Sequence, residues 1–69
     1  MSMAFGEHLR ELRKSNTKYT QEDMAKKLNI SRSTYTYYET GKSEPSFHSL
    51  HKICETLMVD YNTLFDYNE

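Results

Sequence analysis

The most constraining feature is a turn. Between Leu28 and Arg32 the chain closes one helix and opens another within three residues, Asn29, Ile30 and Ser31. Upstream, Thr20 is a good N-cap and Asp23 stands three residues on, a weak variant of the capping box. Met24, Ala25 and Leu28 supply the apolar face of a short helix over residues 20–28. Asn29 falls just after it, where a left-handed residue is wanted and asparagine best replaces glycine. Ser31 is the next N-cap candidate, and the helix it opens, residues 32–40, stops at Gly41. The pattern is a tight helix-turn-helix.

The rest of the chain supports it. Phe5, Leu9 and Leu12 fall at helical spacing and predict a first helix over residues 3–16, ended by the polar stretch Ser15-Asn16-Thr17-Lys18. After the loop KSEPS, Pro45 and Ser46 open a fourth helix whose buried stripe is Leu50, Ile53, Cys54 and Leu57. Asp60 caps a short fifth helix with Tyr61, Leu64 and Phe65. With 69 residues, two glycines and one proline, the chain reads as a single all-α domain over residues 1–69, a compact five-helix bundle. A domain of this size buries only ~60% of the surface its unfolded chain exposes, which leaves little room for a deep substrate cleft.

Several function classes drop out. No nucleophile–base–orienter set, glycine-rich phosphate loop or paired pocket carboxylates can be found, so no enzyme is expected and no cofactor is implied. His48, His51 and Cys54 recur every three residues, but the first and last are ~9 Å apart along the helix and no second cluster would complete a metal shell. No metal site is expected. No apolar run approaches the ~20 residues of a membrane span, and no secretory signal is visible. One cysteine makes no internal disulfide. The expectation is a cytoplasmic protein with no membrane partner.

Charge is uneven. Residues 1–42 carry eight Lys/Arg against five Asp/Glu, net +3, whereas residues 43–69 carry one against five, net −4. The third helix sits in the basic half. Steps of about 100° per residue put Arg32, Ser33, Thr36, Tyr37 and Thr40 on one face. All of them hydrogen-bond and none is acidic. Tyr35 and Tyr38 take the other face as core anchors. A merely solvated face usually includes Glu or Lys at helical spacing. A face of Arg, Ser, Thr and Tyr without a carboxylate suits the major groove of DNA.

The segment TQEDMAKKLNISRSTYTYYETGK (residues 20–42) resembles the helix-turn-helix of the lambda-repressor-like family, also called Cro/cI or XRE type. The likeness extends back through FGEHLRELR and forward through Pro45-Ser46, Leu50, Ile53, Leu57 and Leu64-Phe65, roughly residues 4–66. The resemblance implies a sequence-specific, double-stranded-DNA-binding transcriptional regulator of repressor type. Arg32, Ser33, Thr36 and Tyr37 would read bases. Thr20, Gln21, Ser31, Thr40, Lys42 and Ser43 would contact the sugar-phosphate backbone. Arg13 and Glu39 match an ion pair that ties the first helix to the end of the third. Asn29 and Met58 stand where many members have glycine. Methionine in a left-handed cap costs ~1 kcal/mol or more, so the fourth helix is expected to end in another turn. Tyr35 replaces a smaller aliphatic.

One copy offers a small footprint, so the expectation is a homodimer on a palindromic operator with half-sites ~34 Å apart or a multiple of that. Tyr61, Leu64, Phe65 and Tyr67 are candidates for the dimer contact, because a short helix on so small a core cannot bury them all; packing within the chain is the alternative. RNA polymerase is a further candidate partner. A second reading is an antitoxin-like or adaptor module whose fourth and fifth helices bind a partner protein.

Overall fold

The computed structural model describes residues 3–67, which form five helices: α1 Met3–Asn16, α2 Gln21–Leu28, α3 Arg32–Thr40, α4 Phe47–Leu57 and α5 Tyr61–Leu64. The helix boundaries agree with the sequence reading to within a residue or two.

Local chemistry accounts for each start. Thr20, Ser31, Ser46 and Asp60 all sit in extended backbone and accept the N–H of the third helical residue, from Asp23, Thr34, Ser49 and Thr63. Each cap is worth about 1 kcal/mol. At α2 the box is complete, since the Asp23 carboxylate accepts the Thr20 N–H in return.

The stops also share a device. Asn29, Gly41 and Met58 are all left-handed, with φ of 58°, 81° and 60°. The residue after each donates back to the carbonyl five positions earlier: Ile30 to Ala25, Lys42 to Tyr37 and Val59 to Cys54. Met58 thus corrects the expectation of a different turn after α4. The cap geometry, and the Asn16 amide that reaches across from α1 to the Leu57 carbonyl, satisfy the helix end and outweigh the strain of a Cβ there.

The core draws on every helix: Phe5 and Leu9; Met24, Ala25 and Leu28; Tyr35 and Tyr38; Leu50, Ile53, Cys54 and Leu57; and Leu64. Helix α3 packs on both α1 and α2, while α4 packs on α2 and α1. The crossing of α1 over the C-terminal end of α3 is close. A Cβ on Gly6 would lie 2.9 Å from the Tyr38 carbonyl oxygen and closer still to the Glu39 carbonyl group. Glycine is what lets these helices touch. Among the described residues no helix is long and apolar enough to cross a membrane.

Candidate nucleic-acid interface

The outward side of α3 begins with its inward side. Tyr35 is fully buried and Tyr38 nearly so, their rings meeting edge to face at 6.3 Å. With these two rings locked in the core, residues 32, 33, 36, 37 and 40 face away from it. Arg32, Ser33 and Thr40 are exposed, Tyr37 is 44% exposed and Thr36 is half-buried. The predicted base-reading set therefore lies on one open face of the monomer, clear of the core. Its one carboxylate neighbour on the helix, Glu39, points inward and is 6% exposed.

Glu39 is the hub beneath this face. Arg13 Nε donates to its Oε2 at 2.8 Å and Arg13 Nη2 to its Oε1 at 3.3 Å, a two-pronged pair. Arg13 also donates to the Tyr19 carbonyl at 3.0 Å, tying the α1–α2 connection to the same point. Burial pushes the Glu39 pKa up, but hydrogen bonds from Arg13 and Gln21, with the Tyr35 hydroxyl nearby, outweigh it and hold the carboxyl below its ordinary value. The bonded carboxylate raises the pKa of Arg13 in turn. The Tyr35 hydroxyl lies near enough to this pair to favour the Glu39 charge, yet it makes no hydrogen bond of regular geometry. Burial and the Glu39 charge strongly raise the pKa of that phenol.

Gln21, the first residue of α2, bridges the hub to the open face. Its Nε2 donates to Glu39 Oε1 at 2.9 Å, and its Oε1 accepts from the Thr36 hydroxyl at 3.0 Å. This link between the two helices was not foreseen from sequence, because it depends on how α2 crosses α3 and no spacing encodes that.

The predicted backbone contacts divide by what their side chains already do. Lys42 is exposed, and its ammonium sits 5.6 Å from the Tyr37 ring centroid. The Ser43 N–H donates to the Tyr37 carbonyl at 3.3 Å, which also accepts from the Lys42 N–H. The Thr40 hydroxyl makes only a long 3.4 Å bond to that carbonyl, which a phosphate oxygen would easily displace. Thr20 and Ser31 are engaged as caps, and the Ser31 hydroxyl donates to Thr34.

The expected dimer residues separate. Leu64 is 0% exposed and belongs to the core, so it is withdrawn from the contact set: α5 is short, and its one inward position seals the bundle. Tyr67 is half-buried, packed edge-on to Phe5 and beside His8. Tyr61 and Phe65 are exposed and join an aromatic row the sequence did not reveal. Phe47 stacks on Tyr61 at 6.2 Å, Tyr61 on Phe65 at 6.5 Å, and Phe65 on the buried Phe5 at 5.7 Å. Phe47, the first residue of α4 and three residues before the buried Leu50, is itself 82% exposed. His48 and His51 are exposed while Cys54 faces the core, so the three do not converge.

The helix-turn-helix family pattern matches residues 9–64. An uncharacterized HTH-type transcriptional regulator of Bacillus subtilis (strain 168), YqaE, is 43% identical over 60 residues, which is 87% of this chain and 51% of that protein. The control protein C.MunI of a Mycoplasma species is 34% identical over 94% of this chain and 88% of its own length. The plasmid copy control protein CopR of Streptococcus agalactiae is 41% identical, over 87% of this chain and 66% of its length. The chain thus spans about half of the first of these relatives and most of the second. Among solved structures, the restriction-modification controller protein C.AhdI of Aeromonas hydrophila superposes with a TM-score of 0.83 at 30% identity, covering 91% of this chain and 94% of that one.

Proposed function

The chain belongs to the lambda-repressor-like (XRE-type) helix-turn-helix family, and on that premise we propose that it is a sequence-specific, double-stranded-DNA-binding transcriptional regulator of repressor type. Helix α2 lies across the phosphate backbone and α3 enters the major groove. Arg32, Ser33, Thr36 and Tyr37 read bases. Gln21, Thr40, Lys42 and Ser43 fix the register on phosphates, with the free N–H groups at the start of α2 adding their partial positive charge. Thr20 and Ser31 contribute as the caps that aim those helix ends.

The observation that carries this reading is the open, carboxylate-free face of α3, held outward by buried Tyr35 and Tyr38. Arg32 can fork onto guanine there, and Tyr37 and the threonine methyls add apolar contact.

The working form is a homodimer joined through Phe47, Tyr61 and Phe65, with Tyr67 at the margin. Two molecules of 28 × 24 × 21 Å side by side have the size needed to place two recognition helices ~34 Å apart on one face of the duplex. Regulation then follows from occupying the operator, or from touching RNA polymerase beside a promoter. Restriction–modification control, named for C.AhdI, and plasmid copy control, named for CopR, are both roles of this kind.

The test is selection from a random duplex pool, followed by gel shifts with Arg32→Ala and Gln21→Ala. The expected result is a palindromic consensus, lost with Arg32→Ala and bound more weakly overall with Gln21→Ala. Phe65→Asp should give a monomer in sedimentation and a large loss of operator affinity. Absence of DNA binding at low salt, with a stable complex to another protein through the aromatic row, would favour the adaptor reading.

A further inference from the structure

The chain of hydrogen bonds from Glu39 to Thr36 has a fixed polarity. An ionised carboxylate only accepts. The atom of Gln21 that meets Glu39 Oε1 at 2.9 Å must therefore be its amide nitrogen, which turns the amide oxygen toward Thr36. An amide oxygen also only accepts, so the Thr36 hydroxyl at 3.0 Å must spend its single proton on it. What Thr36 has left for a ligand is its oxygen lone pairs and its methyl group. The Ser33 hydroxyl, on the same face, makes no hydrogen bond among the described residues and keeps both options open.

Given the DNA-reading role proposed above, on which this inference rests, we propose that Thr36 acts toward DNA as a hydrogen-bond acceptor only. It would face an exocyclic amino group, cytosine N4 or adenine N6, and Gln21 and Glu39 are the positioning residues that impose that choice. In general a threonine can serve either a donor or an acceptor on a base edge. Here the N7 and O6 acceptors of guanine and the O4 acceptor of thymine would meet oxygen lone pairs and be rejected.

The experiment starts from the duplex recovered by random selection. Each cytosine is replaced in turn by N4-methylcytosine and each adenine by N6-methyladenine, in which a methyl occupies the groove-facing amino position. In parallel, 7-deazapurines remove acceptors one at a time. The expected result is one base per half-site where amino methylation weakens wild type by about three- to tenfold, the worth of a neutral hydrogen bond. Thr36→Val, which keeps the shape but lacks the acceptor, should bind more weakly and be indifferent to that methylation; a purely steric clash would penalise both proteins alike. Gln21→Met frees the Thr36 proton, so discrimination at that base pair should relax beyond the general loss of affinity. Three results would overturn the inference: no amino methylation that distinguishes wild type from Thr36→Val, a Thr36-dependent effect of a 7-deazapurine instead, or a uniform loss in Gln21→Met with discrimination intact. Failure to select any duplex would remove the regulator reading itself and this inference with it.

Discussion

At Glu39 one carboxylate accepts from Arg13 and Gln21 and so joins α1, α2 and α3. Removing it leaves the Arg13 guanidinium, 8% exposed, without its counter-charge. Glu39→Ala should cost about 3 kcal/mol or more, most of the stability that a domain this small holds, and urea denaturation would show it. Acid should do the same by titration. Backbone hydrogen bonds from Thr20 and Thr63 lower the pKa of Asp23 and Asp60, and Glu39 is lowered against its burial cost. Groups lowered in the folded state stabilise fully above their unfolded values and lose that contribution as pH falls through the folded ones. The melting midpoint should hold level from neutral pH to about pH 5 and fall below it, with a shallower acid slope in Glu39→Gln. The Arg13–Glu39 pair was legible through family resemblance. The Gln21 bridge was not, because a contact between helices is set by their crossing and leaves no trace in spacing.

Among the elements, ends were more legible than crossings. Caps are written locally: Thr20, Ser31, Ser46, Asp60 and Gly41 each announce a boundary through their own chemistry. Met58 does not, since a methionine carries no signal for a left-handed backbone, yet it ends α4 as Asn29 ends α2. Met58→Gly should therefore raise stability by about 1 kcal/mol, read as a higher urea midpoint at one dilute protein concentration. Gly6 shows the opposite limit. Its α1 position gives no local reason for glycine, and the reason lies in the Tyr38 and Glu39 carbonyls on the neighbouring helix. Gly6→Ala forces α1 away from α3 and should cost about 1–3 kcal/mol, although alanine is the better helix former.

For the whole molecule, the five-helix architecture and the open face of α3 followed from periodicity and caps, whereas the aromatic row did not. Periodicity reports which side of a helix is apolar, and Phe47, three residues before the buried Leu50, is exposed all the same. Charge distribution bears on affinity. With Arg32 and Lys42 the cations on the proposed contact face, binding should depend only modestly on salt, and Lys42→Ala should lower the slope of log affinity against log salt by about one. Whether α3 and the start of α2 meet the duplex can be read from amide chemical-shift mapping with the selected operator. The largest shifts are expected at residues 20–22 and 31–43, with α1 little changed. Shifts concentrated on α1 or on the surface of α4 and α5, with Arg32–Thr40 unmoved, would place the DNA elsewhere and overturn the regulator reading.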